Sequence, residues 1–115
     1  MAFKLHRKTR KRAGNYCIDV VGDMSIYTAA SDHAFLSETI SKAKELHFNL
    51  SKVDEIDITG VQNLLAVKQW CEHHNVSFTI TEFSQVIRET FTLLDLCAEM
   101  NVEAETETNE KEVAQ

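Results

Sequence analysis

At 115 residues, 43% hydrophobic and 26% charged, the chain has the size and composition of one globular domain with room for a single core. No apolar run approaches the roughly 18–20 residues that cross a bilayer, and the basic N-terminus has no apolar stretch behind it, so neither membrane insertion nor a secretory signal is expected. The formal net charge of −6 is uneven: residues 1–14 carry six Lys/Arg and no acid, residues 101–115 carry five Glu against Lys111, and the segment between balances at −8. Such an acidic body repels nucleic acid and anionic lipid, so the expected partners are proteins with basic or mixed surfaces.

Residues 1–14, with Lys4, Arg7, Lys8, Arg10, Lys11 and Arg12, lack an apolar period and read as a basic N-terminal tail. Folding proper is expected over residues 15–100. Tyr16 to Val21 is a β-type run, Gly22-Asp23 supplies a turn signal, and Met24 to Thr28 reads as a second strand, the two forming an antiparallel hairpin. Ser31 or Asp32 caps a first helix on which Leu36, Ile40 and Ala43 recur at helical spacing. Leu46, Phe48 and Leu50 then alternate with His47 and Asn49 as a strand.

After a polar turn, Ile56-Asp57-Ile58 is a short extended piece. A second helix follows from about Gly60 to His74, with Val61, Leu64, Leu65 and Cys71 on one face, and Asn75 closes it in a left-handed cap. Val76 to Thr81 is the last strand, and Ser84 caps a final helix through Leu96 that carries Ile87, Phe91 and Leu94. Residues 101–115 read as a disordered acidic C-terminal tail, since they offer too little apolar surface to offset an ordering cost of roughly 1–2 kcal/mol per residue. The order β-β-α-β-α-β-α predicts an α/β fold: a mixed sheet of about four strands, with right-handed crossovers setting the helices on one face.

Four stretches of this pattern resemble the STAS domain of bacterial anti-sigma factor antagonists: Gly22 to Thr28, Phe48-Asn49-Leu50-Ser51, Ile56 to Val61, and Phe83 to Leu96. Asp57-Ile58-Thr59-Gly60-Val61 matches the family's Asp-x-Ser/Thr/Ala-Gly-Leu/Val signature at the start of its second helix. The resemblance implies a cytoplasmic partner-binding module without catalytic residues. It also implies a phospho-acceptor just before the glycine, here Thr59, modified by a GHKL-type serine/threonine kinase that is itself the anti-sigma factor. Ile58 stands where many antagonists have Ser, so one of the two hydroxyls is missing. The partner surface so implied comprises Asp57, Ile58, Thr59, Gly60 and Gln62. Trp70 joins it as a residue off the Leu64/Leu65 stripe, although packing over the core edge beside Val67 accounts for its position more simply.

Capping alone would explain Thr59 just as well and Asp57 better. A hydroxyl where a strand feeds a helix does lie near unpaired N–H groups that tolerate a phosphate. No metal or other cofactor is expected, because His73 and His74 are adjacent and diverge on a helix and Cys71-x-His73 is a poor ligand spacing. With only three glycines there is no phosphate-cradling loop. Cys17, Cys71 and Cys97 lie in apolar segments and read as buried thiols in a reducing compartment. The reading is a regulatory antagonist, monomeric or weakly dimeric, with a chemotaxis-associated scaffold as one alternative. The others are a cytoplasmic subunit of an ABC-type lipid transporter and a small-ligand sensor, the last disfavoured by the lack of a long insertion that could form a pocket.

Overall fold

Alternating side chains decide where the core lies. Tyr16, Ile18 and Val20 on one strand, and Leu46, Phe48 and Leu50 on the next, are buried, while Cys17, Asp19, His47 and Asn49 between them are only half-buried. The computed structural model describes residues 3–5, 13–39 and 42–102. Its elements are β1 (Phe3–Leu5), β2 (Asn15–Met24), α1 (Ala29–Thr39), β3 (Glu45–Ile56), α2 (Ile58–His73), β4 (Ser77–Phe83), α3 (Gln85–Leu93) and α4 (Cys97–Met100). The strands form one sheet in the order β1-β2-β3-β4, with β1 antiparallel to β2 and the other three parallel. The mixed α/β class and the predicted order of elements hold, with α4 added.

The first two strands are not the predicted ones. Tyr16 to Met24 is one continuous strand instead of half a hairpin, because Gly22 at φ +92° takes up a register shift within it. Met24 to Thr28 is not a strand, since Ser25 to Thr28 form a turn. The missing strand comes from the expected basic tail, where Phe3 to Leu5 pair with Val20 to Ile18. Phe3 is 1% exposed and meets Phe48 and Phe35 edge-on, with ring centroids 5.8 Å and 6.4 Å apart. Of the two expected tails, residues 1–2, 6–12 and 103–115 lie outside the described residues. Val102 is buried in the core cluster, so the folded part extends past residue 100.

Helix boundaries shift for local reasons. α1 begins at Ala29, and Ser31 Oγ donates to the Thr28 carbonyl instead of capping; Ile40 lies outside the described residues and Ala43 follows the helix. The polar Ser51 to Glu55 is strand and not turn, because β3 spends two extra residues on bulges opposite β2 and these break its alternation. Asn75, at φ 57°, follows α2 as expected. Ser84 caps α3 by accepting from the Ile87 N–H, but Asp95 at φ 58° ends that helix before Leu96. Among the described residues no helix is long and apolar enough to cross a membrane.

α2 crosses close over the end of β2 because residue 60 has no side chain. A Cβ on Gly60 would overlap the Met24 carbonyl oxygen and stand 2.8 Å from Met24 Cβ and 2.9 Å from Ile56 Cγ1. Gly60→Ala is therefore expected to cost about 1–3 kcal/mol by overpacking despite the better helix propensity of Ala, measurable by urea unfolding. Phe3→Ala is expected to cost about 3–5 kcal/mol in the same experiment. A cost near zero would place residues 3–5 outside the cooperative fold.

Candidate functional site

The parallel strands β2 and β3 end side by side, Met24 opposite Ile56. The turn after one and the helix after the other therefore emerge together. Asp57 sits at that junction in an extended conformation and caps α2, its Oδ1 accepting from the Gly60 N–H at 3.0 Å. Its Oδ2 accepts from the Ile26 N–H at 3.1 Å, and its own N–H donates to the Met24 carbonyl at 3.1 Å. One carboxylate thus joins two segments thirty-one residues apart. The Gly60 N–H, and next the Ile26 N–H, hold this carboxyl below the usual carboxylate range against a smaller opposing effect of desolvation.

The turn it holds is closed on itself. Ser25 Oγ donates to Asp23 Oδ2 at 2.7 Å and accepts from the Tyr27 N–H at 3.1 Å, while Thr28 Oγ1 accepts from the Ser25 N–H at 3.1 Å. With its polar groups turned inward, the turn leaves Ile26 65% and Tyr27 92% exposed. Across Asp57, Ile58 on α2 is 60% exposed. Exposed apolar side chains of this size are thus grouped around one fixed carboxylate. The cleft beside it, about 370 Å³, has Asp23, Asp54, Glu55 and Asp57 among its walls.

The site residues expected from sequence do not all meet here. Asp57, Ile58, Thr59 and Gly60 do, and exposed Gln62 lies one turn beyond Ile58 on the same face of α2. Thr59 is the second helical residue and half-buried, so the cap is Asp57 alone. Trp70 stands about 17 Å further along the helix axis at 1.5 Å per residue. It packs against the core, its indole stacked on His74 at 4.1 Å, and so belongs to a different surface. Ile26 and Tyr27 were missed. The Ser25-x-x-Thr28 pattern is a turn signal that the strand-like composition of Met24 to Thr28 concealed.

Among the described residues no three His, Cys, Asp or Glu side chains group as metal ligands. Burial, with a smaller contribution from Glu72, pushes the Cys71 thiol up to about 11, so it stays protonated at neutral pH.

Comparison with known proteins places this geometry in a family. No curated protein matches the chain by sequence. The fold is similar to that of the anti-sigma factor antagonist SpoIIAA in its unphosphorylated form, with a TM-score of 0.70 and 20% identity over 93% of this chain and 90% of that one. It is also similar to the Bacillus cell fate determinant SpoIIAA in the phosphorylated form, with a TM-score of 0.66 and 20% identity over 93% of this chain and 94% of that one. At that identity the two likenesses establish the fold. The STAS domain profile matches residues 6–112, which takes in every element from β2 to α4 and the Asp57 junction, and the chain therefore belongs to the STAS domain family.

Proposed function

We propose that this chain is a non-enzymatic regulatory module that docks a protein partner through Ile26, Tyr27 and Ile58, and that phosphorylation of Thr59 releases the partner. The observation that carries the reading is the exposed apolar patch built around a carboxylate with both oxygens engaged. Exposed apolar side chains held on a hydrogen-bonded turn and a helix start are already ordered, which lowers the entropy lost on docking. Gln62 extends the surface along α2, and Gly60 permits the close crossing that sets its shape. The partner in this reading is a GHKL-type serine/threonine kinase or anti-sigma factor, and the setting is cytoplasmic; the likeness to a protein described as an anti-sigma factor antagonist supports it.

The position of Thr59 supplies a mechanism. A phosphate there would add about −1.5 to −2 charge within a turn of Asp57, whose cleft Asp54 and Glu55 also line. It would compete for the first-turn N–H groups of α2, which attract anions, and would repel the carboxylate that now holds them. Loss of the Asp57 bridge frees the Ser25–Thr28 turn, and the apolar patch loses its fixed shape.

A second reading rests on Ile58. Ile58 at the helix start is apolar and 60% exposed while Thr59 is half-buried, an arrangement suited to a permanent interface, as in a subunit of an ABC-type lipid transporter.

Intact mass after incubation with ATP in an extract of the source cells separates the two. The switch predicts a phosphate-sized gain in the wild type, absent from Thr59→Ala, and loss of the captured partner on modification. No gain in either form, with one partner captured before and after ATP and lost in Ile58→Ser, would exclude the switch and leave the permanent interface.

A further inference from the structure

A second surface of α2 has no part in this docking. On α1, His33, Leu36 and Ser37 recur at i, i+3 and i+4, and on α2, Asn63, Ala66, Val67 and Trp70 recur at i, i+3, i+4 and i+7. Each helix therefore turns one continuous stripe toward the other. In a closed pair such stripes interdigitate. Here they line a cavity of about 380 Å³. Leu36 and Val67, each 7% exposed, are its deepest residues. Ala66 is too small to fill the space. Trp70, which has the bulk, is stacked on His74 with 14° between the rings, and His74 Nδ1 lies 2.9 Å from the Trp70 carbonyl.

We propose that this slot binds a small, uncharged, planar aromatic molecule carrying one hydrogen-bonding group. Leu36, Ala66, Val67 and the indole supply apolar walls, while His33, Ser37 and Asn63 supply donors and acceptors. Among the described residues no Lys, Arg, Asp or Glu lines the slot, so these walls offer a charged ligand no carboxylate, ammonium or guanidinium partner, and the net charge of −6 further disfavours an anion. From Asn63 to Trp70 the groove runs about 10 Å along the helix axis. Its volume is at the lower end of small-molecule sites, roughly 300–1,000 Å³, which suits a two-ring compound and is short for a nucleotide. The indole wall favours an aromatic body over an open chain. Two helices form the slot, so the long insertion expected of a ligand-binding relative is not needed. The assignment does not depend on the partner reading above.

The test is a titration of the full chain with 2-naphthol followed in ¹H–¹⁵N correlation spectra. Saturable shifts should be confined to residues 33–37 and 63–70 and include the indole N–H of Trp70, the single tryptophan, with Kd below about 1 mM. Ala66→Phe, at an exposed position, should fill the slot and weaken binding at least about tenfold. Asn63→Ala should weaken it without adding bulk, and Leu93→Ser on exposed α3 should leave it unchanged. An open-chain alcohol of similar length, 1-octanol, should bind at least about tenfold more weakly. Shifts that do not saturate, shifts that centre on Ile26 and Ile58, undiminished binding by Ala66→Phe, or equal binding of 1-octanol would each overturn the proposal.

Discussion

The functional end of this domain depends on one carboxylate with two hydrogen-bonded oxygens. Asp57 accepts from the first turn of α2 through Oδ1 and from the turn after β2 through Oδ2. Beside it the Asp57 N–H donates to the Met24 carbonyl at 3.1 Å, so backbone and carboxylate act at the same junction. An asparagine would offer one carbonyl oxygen in place of two and could not serve both donors equally. Because the two N–H groups lower the pKa of Asp57, its folded value lies below the unfolded one. Its stabilising effect is therefore present above about 3.8, the ordinary value, and is lost only as pH falls through the lowered folded value. Across neutral pH the bridge stays charged.

Everything around that bridge follows from backbone proximity. Met24 faces Ile56 in the parallel register, the Met24 carbonyl accepts the Asp57 N–H, and Gly60 lets α2 pass over the same residue without a collision. The helix is thus pinned at its N-terminus by polar contacts and along its length by Val61, Leu64, Val67 and Cys71 in the core. Under the proposed reading its outward stripe through Ile58 and Gln62 meets a partner, while the stripe through Asn63 and Trp70 lines the slot against α1. One helix presents two surfaces, and the first of them is ordered before any partner arrives.

Much of this was legible in the sequence. The period-2 runs at Leu46 to Leu50 and Tyr16 to Val20, the Ser84 cap and the Asn75 stop come from short-range physics and appear where expected. The signature from Asp57 to Val61 located the junction. What escaped depends on tertiary contact. Phe3 is isolated in a basic segment, and only the face of Phe48 and the edge of β2 make it a core residue. The bulges in β3 scramble the alternation of Ser51 to Glu55, so a continuous strand looked like a turn. Tyr27 and Ile26 have strand-like composition, but their backbone is committed to a turn closed by Ser25, Thr28 and Asp57. Trp70 lay on the right helix, yet the rise along that helix carries it away from the junction.

The central claim is that Asp57 holds the Ser25–Thr28 turn onto α2. Native-state amide exchange of the wild type, Asp57→Asn and Asp57→Ala tests it most directly. The account predicts that Asp57→Ala lowers protection of the Ile26 and Gly60 amides about tenfold or more, with Asp57→Asn between it and the wild type, while the buried Phe48 on β3 and Ile80 on β4 are unchanged. Unaltered protection at Ile26 in Asp57→Ala would show that the turn stands by itself and that the carboxylate does not organise the docking surface.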